Sequence, residues 1–160
     1  MRRPGTAAVV IALTSLGLLA PTTSAGAAAQ EYRCQQEWPG RDGNVRAWTD
    51  YGCDGNLLGV TPGDDRFWGD SSGAFQSIAY KEASSVMNSG FVGGKDVVAF
   101  YYDKDYQYQN GYVCLAPGEL WADNLTDNYF TNRPGQVVND RIGSHRWVTA
   151  SECGAGSWLT

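Results

Sequence analysis

From Gln30 onward, short runs of Val, Tyr, Phe and Trp are separated every few residues by Gly, Asn and Asp. NVRAWTDY (Asn44–Tyr51), DVVAFYY (Asp96–Tyr102), YVCLAP (Tyr112–Pro117) and SHRWVTA (Ser144–Ala150) read as strands. Each is rich in β-branched or aromatic residues and bounded by turn formers. No longer stretch holds the 3.6-residue apolar period of an amphipathic helix. Many short strands between turn signals predict a β-sandwich or barrel. The chain carries 20 aromatic residues, 6 Trp, 9 Tyr and 5 Phe, most of which are expected to fill its core.

The same pattern occurs twice. VRAWTDY from Val45 is echoed by VVAFYYD from Val97, which sets Ala47-Trp48 on Ala99-Phe100. GVTPGDDRFW (Gly59–Trp68) is echoed by CLAPGELW (Cys114–Trp121), setting Pro62-Gly63 on Pro117-Gly118. YKEASSVMN (Tyr80–Asn88) is echoed by NDRIGSHRW (Asn139–Trp147), setting Ser85 on Ser144. The order is kept and the offset drifts slowly upward, as small loop insertions cause. NSGFVGGKD (Asn88–Asp96) is the natural connector. Four strands per half make a Greek key, and one key alone has an apolar face that it cannot hide. The expected fold is all-β: two tandem Greek keys, roughly residues 34–88 and 96–153, packed face to face as one sandwich domain over 30–160.

The start of the chain changes the setting. Arg2 and Arg3 precede an apolar run from Ala7 to Ala20, then a stretch of small residues to Ala29. Basic, apolar, small is the order of a secretory leader, and the apolar run is too short for a membrane span. We read residues 1–29 as a signal peptide cleaved between 25 and 30. Losing Arg2 and Arg3 takes the formal charge from −5 to −7. That acidity argues against a nucleic-acid partner, and no membrane contact is expected after cleavage. Export makes Cys34, Cys53, Cys114 and Cys153 disulfide partners rather than a zinc site, since no C-x-x-C is present and one histidine accompanies them. Three connectivities are possible. Cys34–Cys53 with Cys114–Cys153 is favoured, because each bond then closes a loop within one half.

That single histidine, His145, lies in GQVVNDRIGSHRWV (Gly135–Val148). A catalytic role needs a nucleophile or an orienting acid beside it. Neighbours on a strand point to opposite faces, so Ser144 cannot pair with His145. Asp140 sits five residues back, across an expected turn, and there is no G-x-S-x-G. The expectation is a protein that is not an enzyme.

Together these residues resemble the βγ-crystallin superfamily, and most closely the secreted actinobacterial proteins of peptidase inhibitor family I36. The likeness is strongest over VVAFYYDKDYQYQNGYVCLAPGELW and VVNDRIGSHRWV, and weaker from Val45 to Asn88. It implies an inhibitor whose partner is an extracellular peptidase or another secreted protein. Two exposed candidate contact loops are Thr61–Phe75 and Asp123–Gln136; alternatively, Trp68, Trp121 and Phe130 cover the core edge. The superfamily also includes structural and calcium-binding proteins and killer-toxin-like antimicrobials, and the fold alone does not choose among them. Its calcium sites use an Asn/Asp-Asn/Asp-x-x-Ser/Thr-Ser stretch from each half. Here Asn139 and Asp140 keep the acidic pair, but Gly143 replaces a hydroxyl. The other stretch keeps Ser84 and Ser85 but has Lys81 in an acidic position. If ligands are shared between halves, Asp140, Ser84 and the Arg141 carbonyl form one weak Ca²⁺ site. The alternative is that these serines fasten loops to the backbone.

Overall fold

The computed structural model describes residues 33–160. The leader expected at 1–29, with its cleavage site, lies outside the described residues. The described chain forms seven strands: β1 (Val45–Asp50), β2 (Asp54–Thr61), β3 (Ser85–Asn88), β4 (Val97–Tyr101), β5 (Tyr112–Leu115), β6 (Trp121–Ala122) and β7 (Ser144–Val148). They build two antiparallel sheets ordered β2-β1-β3-β6 and β5-β4-β7. Among the described residues, no helix is long and apolar enough to cross a membrane.

The two sheets face each other across one core, an all-β sandwich. Val45 and Ala47 from β1, Val86 from β3, Val98 and Phe100 from β4, and Val113 and Leu115 from β5 meet there with Trp68, Phe75, Leu125 and Ile142. The strands alternate as their period of two requires. What lies on the outer faces explains why β4 is buried along its whole length. Outside the first sheet, Trp48 and Met87 pack with Cys34, Cys53, Trp38 and Trp121. Outside the second, Val97, Ala99, Tyr101, Tyr112 and Val148 pack under Cys153, Trp158 and Tyr106. Each sheet is therefore covered by the chain terminus of its own half. A disulfide pins each cover: Cys34–Cys53 and Cys114–Cys153. This is the local pairing.

The halves correspond, but they interlock rather than merely stack. β6, from the second half, pairs with β3 of the first. In return Asp65 of the first half bridges to His145 of β7. Each half thus lends its third strand to the other's sheet, although the first half lends only a one-residue bridge. Matching hydrogen bonds give the correspondence residue by residue. Trp48 stands opposite Ser85, and Tyr101 stands opposite Ser144. Trp68 N donates to the Gly143 carbonyl at 3.0 Å, and Leu125 N donates to the Ser84 carbonyl at 3.1 Å.

Two of the sequence alignments are corrected by this pattern. Ala47 corresponds to Phe100, not Ala99, and Thr61 corresponds to Leu115, which sets Pro62 on Ala116, not Pro117. A one-residue slip in a strand exchanges its faces, and the burial shows it. Ala47 and Phe100 both enter the main core, whereas Ala99 faces the outer cover. The Ser85–Ser144 match is the one the pairings reproduce.

Candidate functional site

His145 sits on the inward face of β7, completely buried. Its Nδ1 accepts a hydrogen bond from Trp68 Nε1 at 2.8 Å, and its Nε2 lies 3.1 Å from the Gly63 carbonyl. The proton must then be on Nε2, donated to Gly63. Trp68 stacks on Phe75 at 4.2 Å, and the Phe75 and Phe100 rings also flank the imidazole. Ser144, on the opposite face, donates to the Asp103 carbonyl at 2.6 Å. The imidazole is a structural tie between the first half's loop and the second half's strand.

Burial pushes the His145 pKa down to about 4, partly opposed by the hydrogen bond to Gly63. The sign follows from linkage. An unfolded histidine takes a proton near pH 6.5, whereas the folded one does not until about 4, so the unfolded state binds more protons in between. Stability should fall by about 2–3 kcal/mol between pH 7.5 and 4.5. Urea unfolding midpoints at the two pH values measure this. His145→Gln, which can accept from Trp68 and donate to Gly63, should lose most of the slope. Asp42 acts only at lower pH, because its hydrogen bond with Arg46 holds it down to about 2.

The ligands proposed for calcium meet across the halves: Ser84 Oγ donates to Asp140 Oδ1 at 3.3 Å. Asp140 Oδ2 accepts from Asn139 Nδ2 at 2.8 Å, and the Asp140 carbonyl accepts from the Arg141 guanidinium at 2.6 Å. Every oxygen of Asp140 therefore already has a protein donor. Asp140 itself adopts a left-handed backbone, φ 53°, which aspartate tolerates. Asp140, Ser84 and Arg141 form a clasp between the two halves.

The corresponding place on the other side keeps the backbone and changes the chemistry. Lys81 N donates to the Ile142 carbonyl at 3.0 Å, as Asp140 N does to Ala83 at 2.9 Å. The Lys81 ammonium lies 3.7 Å from the centre of the Tyr102 ring, and the Arg133 guanidinium lies at the same distance from that ring. Gly143 is required here, because a Cβ would stand 2.7 Å from the Tyr102 carbonyl oxygen. A hydroxyl-bearing residue at 143 has no room.

In the two loops singled out in the sequence, Trp68, Phe75 and Phe130 are buried, whereas Tyr129 is 55% exposed. Gly59 makes room for Phe75, whose ring lies 2.8 Å from where a Cβ would be. Whereas Ile78 and Leu57 are exposed singly elsewhere, the connector presents two adjacent exposed apolar side chains, Phe91 at 66% and Val92 at 71%. Their loop is firmly held. Asn88, fully buried, donates to the Asp96 and Leu115 carbonyls at 2.9 and 3.0 Å and accepts from Gly90 N at 2.9 Å. The Arg41 guanidinium reaches the carbonyls of Asn88, Gly90 and Pro117. Asp96 receives Gly93 N at 2.7 Å. Beside the loop lies a cavity of about 340 Å³ lined by Gly43, Pro62, Gly90, Phe91, Gly93, Lys95 and Trp147. Trp147 Nε1 is buried and has no partner. The signal that could have found this site was Phe-Val set between glycines, where no strand needs them.

No family model matches the chain, and neither does any curated protein. Solved structures do match. One, from a study of the evolution of the eye lens βγ-crystallin domain fold, is 20% identical with a TM-score of 0.47, covering 69% of this chain and 89% of that one. A βγ-crystallin from an archaeon is 19% identical with a TM-score of 0.42, covering 66% and 96%. The N-terminal domain of protein S is 16% identical with a TM-score of 0.41, covering 67% and 97%.

Proposed function

We propose that the chain is a secreted, non-enzymatic peptidase inhibitor of the I36 type, and that residues 88–96 are its contact loop. The observation that carries this reading is the exposed Phe91–Val92 pair on a loop anchored by buried Asn88 and by Arg41. Two large apolar side chains in water contribute nothing to the core. Held rigidly, they lose little entropy on docking, which is what a tight-binding loop requires. Two disulfides suit the oxidising surroundings of an exported protein.

Purified protein should inhibit at least one secreted metallo- or serine peptidase at micromolar concentration. The double substitution Phe91→Ser with Val92→Ser should raise the inhibition constant by about 30-fold, the size of a hot-spot loss, and leave the melting temperature unchanged. Lack of inhibition in both peptidase classes would remove the proposal. Inhibition that ignores the double substitution would keep the activity and relocate the loop.

A further inference from the structure

A second cavity opens on the other face of β7, since Arg146 and Trp147 alternate along that strand. Tyr101, Tyr106, Tyr108, Tyr112, Arg146 and Glu152 line a space of about 320 Å³, within the size range of small-ligand sites. Tyr101 and Tyr112 are buried, with ring centres 6.3 Å apart and planes inclined by 29°. Tyr106 tilts against Tyr101 at 5.8 Å, and Tyr108 is 56% exposed. Arg146 and Glu152 form an ion pair at 3.0 Å. Arg146 Nε is buried with no hydrogen-bond partner.

The lining selects its ligand by exclusion and by match. Arg146 and Glu152 neutralise each other, so the lining favours neither a cation nor an anion. A purely apolar ring would strip water from this ion pair and give it no hydrogen bond in return. A proline-rich segment brings carbonyl acceptors and ring surface, but no N–H for the Glu152 carboxylate. A sugar ring meets every requirement. Its C–H face stacks on a phenol ring, and neighbouring hydroxyls each donate and accept, matching a donor and an acceptor set side by side.

We propose that this cavity is a saccharide site, taking a ring of a neutral glycan independently of the peptidase loop. The test titrates the full chain with cellohexaose, chitohexaose, maltohexaose and xylohexaose, and with an acetylated hexaproline amide for comparison, following tyrosine-ring and arginine side-chain NMR signals. At least one sugar should move the Tyr101, Tyr106, Tyr108 and Arg146 signals saturably, with a dissociation constant of about 1 mM or tighter. Tyr108→Ala should weaken that binding about tenfold with the fold intact, and Phe91→Ser should leave it unchanged. The site is overturned if no sugar gives a saturable shift, if binding survives Tyr108→Ala, or if hexaproline binds the same residues more tightly.

Discussion

Reduction of the two disulfides should unfold the protein at room temperature or bring it close to that point. Cys34–Cys53 spans 19 residues and Cys114–Cys153 spans 39. On the chain-entropy account these loops are worth about 3 and about 4 kcal/mol, against a total stability of about 5–15 kcal/mol for an ordinary domain. The structure adds a second reason. Each bond pins the terminal segment that covers the outer face of a sheet, so its loss lets water reach Trp48 and Met87 on one side, or Tyr101, Tyr112 and Val148 on the other. Urea unfolding of paired Cys→Ala variants measures each bond, and the Cys114–Cys153 pair should show the larger loss. If the reduced and oxidised proteins had equal midpoints, the covers would be held by packing alone.

Trp68→Ala should cost about 3–5 kcal/mol, the range for deleting a large buried aromatic. Trp68 is fully buried, stacked on Phe75 and edge-on to Phe100. Its removal also leaves His145 Nδ1 without the donor at 2.8 Å. Trp68→Phe separates the two contributions. It keeps one six-membered ring in the core and removes the N–H with the rest of the pyrrole ring, so the cost should drop to about 1–3 kcal/mol. Chemical denaturation of both variants checks the ordering. Equal losses would mean that the hydrogen bond to His145, not the packing, dominates.

Much of the fold was legible in the sequence because local chemistry and global structure agree there. Val, Phe and Tyr at 97–101, and Val45, Trp48 and Thr49 in the run 45–50, announce strands whatever surrounds them. The pairing of Ser85 with Ser144 was legible for the same reason, since the two hydroxyls serve one purpose and bond the Asp50 and Asp103 carbonyls at 2.7 and 2.6 Å. The register of β1 against β4 was not legible. The cover on the outer face of β4 makes its inward and outward positions equally apolar, so Ala47-Trp48 matched Ala99-Phe100 by composition and missed by one residue.

The site was less legible still. Asp140 and Ser84 meet across the halves as the sequence suggested, but the hydrogen bonds that Asp140 accepts from Asn139 and Arg141 are invisible in a spacing. Trp68 and Phe130 looked like loop residues because their segments are polar, yet tertiary contacts draw them into the core. Phe91 and Val92 looked like linker because glycines surround them. Only the bonds from Asn88 and Arg41 show that the segment is rigid.

The exchange of third strands has a consequence for a molecule whose halves are joined by a single exposed connector. Neither disulfide crosses from one half to the other, so a cut between Phe91 and Val92 would sever the last covalent link between them. The fragments would still be threaded through each other, with β6 hydrogen-bonded into the sheet of the first piece and Asp65 into the sheet of the second. Such a nicked molecule stays assembled as a non-covalent pair, and its bite mark is visible only once denaturant has drawn the pieces apart.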